Sequence, residues 1–219
     1  MNVVKKGSGT LTMFASDAGS VKVEEGGLKL MSREVMGYPI YRFNVYSTGN
    51  IGNNNARVHI GELNFLQGET DATQGWDELY YDPTGTSYYN EPLKMLDGDL
   101  STYFYDQRAQ SFSNVSNIHV SLEYAIPRKM TGYRWNRTTA DKDTHSRCPT
   151  SWAVLGSEDN VNWRLLSHVE YLETSWSSDW RTYPCTNYPA TSASIAGLDL
   201  AAGAKLTVCG PSLSLTAAG

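Results

Sequence analysis

Cysteine is scarce in this chain of 219 residues, which has three in all. Cys148, Cys185 and Cys209 show no CxxC spacing, and this excludes the usual zinc-knuckle pattern as well as a dense disulfide framework. Cysteines outside such patterns are mostly reduced and buried. The sequence therefore favours three buried thiols and leaves a bridge between Cys148 and Cys185 open.

Long apolar runs and an excess of basic residues are lacking as well. No run approaches the ~20 apolar residues that a membrane-spanning helix needs. The N-terminal MNVVKKGSGT has a lysine pair without an apolar segment behind it, so we expect no signal peptide. The formal net charge is −5 at pH 7, whereas phosphate binding needs a basic surface. We expect neither a membrane span nor a nucleic-acid partner.

Residues that favour strands and turns are abundant. The chain has 19 Gly, 14 Tyr and 6 Trp, and many short runs alternate apolar with polar residues, while helical periodicity is nearly absent. Alternation with period two is typical of a strand with one buried face. The sequence therefore predicts an all-β protein built around a β-sandwich.

The stretch Met130–Glu170 carries the clearest strand pattern. Three apolar runs in it are predicted strands: Gly132–Trp135, Trp152–Leu155 and Val161–Leu166. In the third run, Val161, Trp163 and Leu165 share the parity that we assign to the buried face. The polar segment 136–147 separates the first two runs. The stretch predicts three antiparallel strands and one long, highly charged loop.

The run ARVHIGELNFLQG changes its apolar parity in the middle. Val58 and Ile60 share one parity, and Leu63 and Phe65 share the other, with the switch at Gly61. A β-bulge inserts one residue into a strand and shifts the parity in this way. We therefore predict a bulge at Gly61.

The two ends of the chain differ from the middle in composition. Residues 1–37 are rich in Gly, Ser and charge, and we predict a β-hairpin there, either an ordinary edge hairpin or an assembly arm. Residues 191–219 are mostly small, as in a flexible tail or in an arm that adds strands to a partner. We favour two assembly arms on either side of a β-sandwich domain at 38–190.

The triplet Asp97-Gly98-Asp99 predicts a tight turn with two carboxylates. Carboxylate oxygens are hard ligands that suit a cation such as calcium. The same triplet is also common in surface turns, where its carboxylates are only solvated. Both interpretations stay open from the residues alone.

Five segments, in this order, resemble the galactose-binding-like β-sandwich of the discoidin and coagulation-factor type C superfamily: YRFNVYSTGN, VHIGELNF, LDGDLSTYF, IHVSLEYAIPRKMTGYRW and CPTSWAVLGSEDNVNWRLL. The resemblance covers residues 38–190. Its most specific pieces are the DGDxxTxF turn and the PTSWxVxGSxDxxxW strand pair. The arrangement is similar to copies in bacteriophage tail and virion-surface proteins. It implies a jelly roll that binds a ligand at its loop end.

The resemblance also implies a structural Ca²⁺ beside the DGD turn. Carried over residue by residue, the implied ligands are Asp97, Asp99, Thr102 and Glu62. Phe104 stands where the family often has Trp.

The ligand site implied by the resemblance lies on loops at one end of the sandwich. Sugars suit such sites, because aromatic faces cover their C–H patches while polar groups bind their hydroxyls. The candidates lie in the segment 136–147 and in the loop after Phe104: Tyr105, Arg108, Arg137, Asp141, Asp143, His145 and Arg147. Ordinary surface charge is the alternative for each charged residue among them.

Catalytic motifs such as GxSxG, HExxH and the P-loop are lacking. Asp97 and Asp99 share one turn, whereas the two carboxylates of a glycosidase flank the sugar. We therefore expect a non-enzymatic virion structural protein, either a capsid decoration protein or a tail, fibre or baseplate component. It would lie on the virion surface as a homo-oligomer, with a trimer expected, would bind other virion proteins through its arms and would attach to host-surface glycans. The alternatives are a carbohydrate-binding adhesin and a module of a secreted glycan-degrading system.

Overall fold

The computed structural model describes residues 2–14, 20–31, 36–49, 58–81, 88–106, 118–137, 147–170, 180–188 and 198–209. Within these ranges the protein is all-β, as predicted, with a short 3₁₀ turn at Pro92–Met95. None of the described helical segments is long and apolar enough to cross a membrane. The chain divides into two compact units, one formed by Tyr38–Asn187 and the other by Met1–Gly37 with Tyr188–Gly219.

The strands in chain order are β1 Asn2–Lys5, β2 Thr10–Phe14, β3 Ser20–Val23, β4 Gly27–Met31, β5 Tyr38–Thr48, β6 Val58–Ile60, β7 Leu63–Gln67, β8 Thr70–Asp71, β9 Glu78–Tyr81, β10 Tyr88–Asn90, β11 Phe104–Asp106, β12 Ile118–Arg128, β13 Gly132–Trp135, β14 Pro149–Ser157, β15 Trp163–Glu170, β16 Arg181–Pro184, β17 Leu198–Leu200 and β18 Lys205–Cys209.

The unit Tyr38–Asn187 contains three antiparallel sheets. Their strand orders are β15-β14-β5-β12-β9, β16-β13-β7-β8 and β10-β11-β6. The strand β5 alternates as its sequence predicts: Tyr41, Phe43 and Val45 are buried, while Arg42 and Asn44 lie half-buried on the opposite face. This alternation gives the five-stranded sheet one apolar face.

The apolar faces of the five-stranded and four-stranded sheets meet in an aromatic core. Trp152 on β14 and Trp135 on β13 are both fully buried, and their rings lie edge to face at 5.2 Å. Phe43 on β5 stacks on Trp152 at 6.4 Å and lies edge-on to Tyr133 at 6.1 Å. The two sheets therefore face each other as in a β-sandwich.

The predicted bulge at Gly61 is wrong, because the chain changes sheets there. The strand β6 belongs to the three-stranded sheet and β7 to the four-stranded sheet. Gly61 and Glu62 form the crossing between them. The parity of the apolar residues switches because each strand faces a different neighbour.

The predicted set of three antiparallel strands in Met130–Glu170 is correct in part. β14 and β15 pair antiparallel, but β13 belongs to the opposite sheet. The predicted parity of the third run is wrong: Val161 is 76% and Leu165 43% exposed, whereas Leu166 is buried. A register shift between Val154 and Leu155 exchanges the two faces of the strand.

Cys148 and Cys185 form no disulfide bridge with each other, and both are buried. Burial raises the pKa of each thiol to about 12. Neither is a thiolate at neutral pH, so both behave as small apolar core residues.

The second unit contains two sheets of parallel strands, ordered β1-β3-β17 and β2-β4-β18. We name each consecutive strand pair a rung: rung 1 is β1 and β2, rung 2 is β3 and β4, and rung 3 is β17 and β18. Together they form the rung stack. The predicted N-terminal hairpin is wrong, because β2 and β3 lie in different sheets. The two ends of the chain are also not separate arms, since rung 3 pairs with rung 2.

The rung stack has a small apolar core of its own. Rung 2 supplies four fully buried side chains: Val21, Val23, Leu28 and Leu30. Partly buried residues from the outer rungs pack against them: Val3, Leu11, Leu198, Ala204 and Leu206. Bulky residues are few in either terminal segment, but parallel pairing between the segments gathers enough of them to bury a shared face.

Candidate functional site

Strand pairing brings Glu62 and the DGD turn together. The strand β11 begins shortly after the turn, and β6 ends just before Glu62. β11 pairs antiparallel with β6, with Phe104 opposite Ile60. Residues that are distant in sequence therefore meet at one edge of the three-stranded sheet.

Asn136, just beyond β13, fixes the backbone of the crossing residues. Its side-chain Oδ1 accepts a 2.7 Å hydrogen bond from the Glu62 N–H, and its own N–H donates to the Glu62 carbonyl at 3.0 Å. Gly61 N–H donates to the Asn136 carbonyl at 3.0 Å. Three hydrogen bonds to one buried residue hold Glu62 in place.

The Glu62 carboxyl group is buried beside the Asp97 carboxylate. The residue is 1% exposed, and among the described residues no group lies in close hydrogen-bonding geometry with either carboxyl oxygen. Burial, together with the adjacent Asp97 carboxylate, raises the pKa of Glu62 to about 8, although the nearby Gly98 N–H acts in the opposite direction. A buried carboxyl needs either a proton or a cation.

Asp97 is the ionised member of this carboxylate pair. It accepts hydrogen bonds from the Asp99 N–H at 2.9 Å and from the Thr102 hydroxyl at 3.1 Å. Lys94 Nζ lies 3.4 Å from its Oδ2. Its partial burial acts to raise the pKa of Asp97, but the hydrogen bonds outweigh this effect and the pKa lies below its ordinary value.

The Thr102 hydroxyl lies among more acceptors than it can serve. Its Oγ1 is 3.1 Å from both Asp97 carboxylate oxygens, from the Lys94 carbonyl and from the Asp99 carbonyl. A hydroxyl has one proton and can donate it to only one of these oxygens. The remaining oxygens form a cluster that a cation would satisfy.

Three of the four predicted calcium ligands therefore come together. Glu62, Asp97 and Thr102 lie at the cluster, while the Asp99 carboxylate turns away to accept hydrogen bonds from the Ser101 hydroxyl at 2.6 Å and from its N–H at 2.9 Å. Asp99 contributes its carbonyl oxygen instead. Within the described ranges, no group of three or more His, Cys, Asp or Glu side chains is arranged to hold a metal ion.

The kinds of oxygen at the cluster are nevertheless those that calcium accepts. Ca²⁺ takes six to eight oxygen ligands and accepts carboxylate, hydroxyl and carbonyl oxygens together. The cluster offers all three kinds, and an ion there would contact the buried Glu62 carboxyl as well. The Lys94 side chain is 47% exposed, so it can move into solvent when a cation binds to Asp97.

The structure describes only three of the seven predicted ligand-binding residues. Tyr105 is 7% exposed, and its ring lies edge-on to His59 at 4.3 Å, so little of its face is available for stacking. Arg137 and Arg147 are half-buried, and the segment 138–146 between them lies outside the described residues. The remaining four candidates lie outside the described residues: Arg108, Asp141, Asp143 and His145.

Three further residues near this edge of the sheet were not among the predicted site residues. Asn136 positions Glu62, and His59 with Tyr103 forms an aromatic group in which the two rings lie 5.3 Å apart. Tyr103 is half-buried and so offers more surface than Tyr105. The one available signal was that Asn136 directly follows the apolar run of β13, where strand ends often carry site residues.

No protein-family model, no curated protein and no solved structure matches this chain significantly.

Proposed function

We propose that this protein is a non-enzymatic structural component of a bacteriophage virion, which displays a calcium-stabilised jelly roll at the virion surface. The observation that supports it most is the buried Glu62 carboxyl beside Asp97 and the Thr102 hydroxyl. This is the position at which the resemblance to galactose-binding-like domains implies a structural Ca²⁺. Glu62, Asp97 and Thr102 would hold the ion, aided by the Lys94 and Asp99 carbonyls.

In this proposal the ion has a structural role. It would tie the crossing at Glu62 to the turn at Asp97 and so stiffen one edge of the three-stranded sheet. Recognition of a host-surface glycan would then fall to Arg137, Arg147 and the segment between them.

The order in which the chain forms its two units supports separate roles for them, with the rung stack for attachment and the sandwich for display. The chain leaves rung 2 at Met31, forms the unit Tyr38–Asn187 and returns in rung 3 at Leu198. Because rungs 2 and 3 are paired, the whole sandwich is an insertion between neighbouring rungs. The rung stack would serve attachment to other virion proteins, as a capsid decoration protein or a tail, fibre or baseplate component.

Two measurements test this proposal. Purified protein should co-sediment with particles of the virus that encodes it, and a glycan array probed with and without calcium should give hits that Arg147→Ala weakens. Binding to particles without any glycan hit would retain the structural role and remove host attachment. Glycan binding without particle association would favour the alternative, a carbohydrate-binding adhesin. Turnover of a bound glycan would overturn the non-enzymatic assignment.

A further inference from the structure

The rung stack ends on both sides in strands whose outer edges pair with no described strand. β1 and β17 are the outer strands of one sheet, and β2 and β18 are the outer strands of the other. Rung 1 and rung 3 thus each present two parallel edge strands. Open strand edges of this kind pair readily with strands of another chain.

The three rungs share one sequence pattern. Their strands align in register at two apolar positions, one in each sheet: Val3, Val21 and Leu198, and then Leu11, Leu28 and Leu206. Each rung also turns at a glycine with positive φ: Gly7 at 81°, Gly26 at 81° and Gly203 at 85°. Rung 2 therefore binds rung 1 on one side and rung 3 on the other through the same kind of parallel contact.

The backbone groups at the two open edges are complementary. Glu24 N–H donates to the Lys5 carbonyl at 2.9 Å, so the backbone N–H and C=O groups of Lys5 face rung 2. Because these groups alternate along a strand, those of Val4 face the open edge. On the other side, Ala201 N–H donates to the Val23 carbonyl at 2.9 Å. By the same alternation the backbone groups of Asp199 face rung 2, and those of Leu200 face the open edge.

At the register position of Lys22, the backbone N–H and C=O groups of rung 1 therefore point away from rung 2, whereas those of rung 3 point toward rung 2. Val4 and Asp199 both lie in register with Lys22, and Val4 faces outward while Asp199 faces rung 2. The outer edge of rung 1 can therefore pair with the outer edge of rung 3 of another copy. This pairing would have the same geometry as the pairing of rung 3 with rung 2.

The side chains of the outer rungs are also incompletely buried. Leu200 lies in register with the fully buried Val23, yet it is 38% exposed. The core residues of rung 1 and rung 3 are only partly buried, whereas Leu28 and Leu30 of rung 2 are fully buried. In stacked repeats the ends are normally covered by capping segments, and each added repeat buries the face of its neighbour. A further rung of the same pattern would complete both ends.

We propose that rung 3 of one copy pairs in parallel with rung 1 of a second copy, so that copies of this chain join head to tail. This deepens the attachment role in the proposed function by naming a second copy as partner, and it depends on neither calcium nor a glycan. A head-to-tail contact uses two different surfaces, so it produces a closed ring or a growing filament.

Edge-blocking variants test the proposal. Proline has no N–H and is tolerated on edge strands where the N–H faces outward. Val4→Pro therefore blocks rung 1, Leu200→Pro blocks rung 3, and Val4→Thr is the matched control that keeps the N–H. Sedimentation velocity over a concentration series measures association, and far-ultraviolet circular dichroism with tryptophan fluorescence confirms folding.

We expect wild type and Val4→Thr to associate with rising concentration and each proline variant to stay monomeric. A mixture of the two proline variants should form a one-to-one dimer and nothing larger, because one free rung 3 edge meets one free rung 1 edge. The proposal is overturned by a monomeric wild type, by association of either proline variant alone, or by a mixture that stays monomeric while both variants are folded. Calcium and glycan binding can still be measured on the monomeric variants, so failure here is separable from failure of the proposed function.

Discussion

The indole N–H of Trp152 donates a 2.9 Å hydrogen bond to the hydroxyl of Tyr133. Trp152 lies on β14 of the five-stranded sheet and Tyr133 on β13 of the four-stranded sheet, and both side chains are fully buried. The bond therefore joins the two facing sheets inside the core. A buried indole N–H without a partner is costly, so this contact fixes how the sheets meet.

Removing the Tyr133 hydroxyl should destabilise the protein by about 1–3 kcal/mol, because Tyr133→Phe leaves the Trp152 N–H buried without its partner. Urea denaturation followed by tryptophan fluorescence measures the change. Tyr46→Phe is the matched control, since Tyr46 is 37% exposed and its change should stay within about 0.5 kcal/mol. Equal effects of the two variants would contradict the bridging role of Tyr133.

The two tryptophans of the PTSW…W motif should respond very differently to truncation. Trp152→Ala opens a cavity between the sheets and should cost about 3–5 kcal/mol. Trp163 lies half-buried on the outer face, where the Arg42 guanidinium stacks 3.8 Å from its ring centroid. Trp163→Ala should cost only about 1 kcal/mol. A loss below about 1 kcal/mol for Trp152→Ala would show that its inward placement is wrong.

Period-two patterns predict which residues of a strand share a face, but they do not show which sheet the strand joins. The alternation of Tyr41, Phe43 and Val45 gave the buried face of β5 correctly. The parity switch at Gly61 has two physical causes, a bulge or a change of sheet, and only long-range pairing separates them. The parity of β15 failed for the same reason, because its register shift arises against β14.

The rung stack lay beyond sequence reasoning for a different reason. Neither terminal segment has enough apolar residues to bury a face alone, and composition suggested two arms. Stability comes from pairing Leu198 and Leu206 of rung 3 with residues of rung 2, across the whole sandwich insertion. The signal that was present is the repeated pattern of alternating apolar residues around a glycine turn.

For the candidate site, the resemblance predicted which residue types lie at the DGD turn, but it did not predict their geometry. Nothing in the sequence indicates that the Asp99 carboxylate turns to Ser101 or that Asn136 holds the Glu62 backbone. These contacts depend on where β13 and β6 end, and such boundaries are the least certain part of a sequence-based prediction.

Gly26 should be the least replaceable glycine of the rung stack. Its φ is 81°, and a Cβ there would lie 2.2 Å from the Gly9 carbonyl oxygen and 2.6 Å from that of Gly7. Gly203 has a similar φ of 85° but nothing within 4 Å of the added atom. Gly203→Ala should therefore cost about 1–3 kcal/mol from backbone strain alone, and Gly26→Ala clearly more.

Limited proteolysis at the chain ends, together with urea denaturation, compares the two alanine variants. Gly26→Ala should expose the terminal segments to the protease while the core tryptophan fluorescence stays native. Equal protection of both variants would contradict the close packing of rung 2 on rung 1.

The stability of the calcium-free protein should fall as the pH rises from 4.5 to about 8. The ordinary pKa of a glutamate is 4.5, and burial beside Asp97 raises the pKa of Glu62 to about 8 in the folded protein. Between these values the folded state holds a proton that the unfolded state has lost, so raising the pH favours unfolding. Above about pH 8 the Glu62 carboxyl is ionised in both the folded and the unfolded state, so it no longer makes the stability depend on pH.

The difference between wild type and Glu62→Gln isolates this effect from other titrating groups. Denaturation midpoints measured across the window should decline in wild type relative to Glu62→Gln, which cannot ionise. The same ionisation makes calcium binding stronger at higher pH, because the ion displaces the Glu62 proton. A difference between the two proteins that is independent of pH would contradict the raised pKa.

The central claim is that the buried Glu62 carboxyl and Asp97 form a calcium site, and isothermal titration calorimetry with CaCl₂ tests it most directly. Wild type should bind one Ca²⁺ per chain and melt at a higher temperature in its presence, since an ion that binds only the folded state stabilises it. Glu62→Gln should lose most of this binding, while Glu69→Gln, at an exposed position, should retain it. Equal calcium binding by Glu62→Gln and wild type, or no binding by wild type in chelator-treated buffer, would contradict the claim.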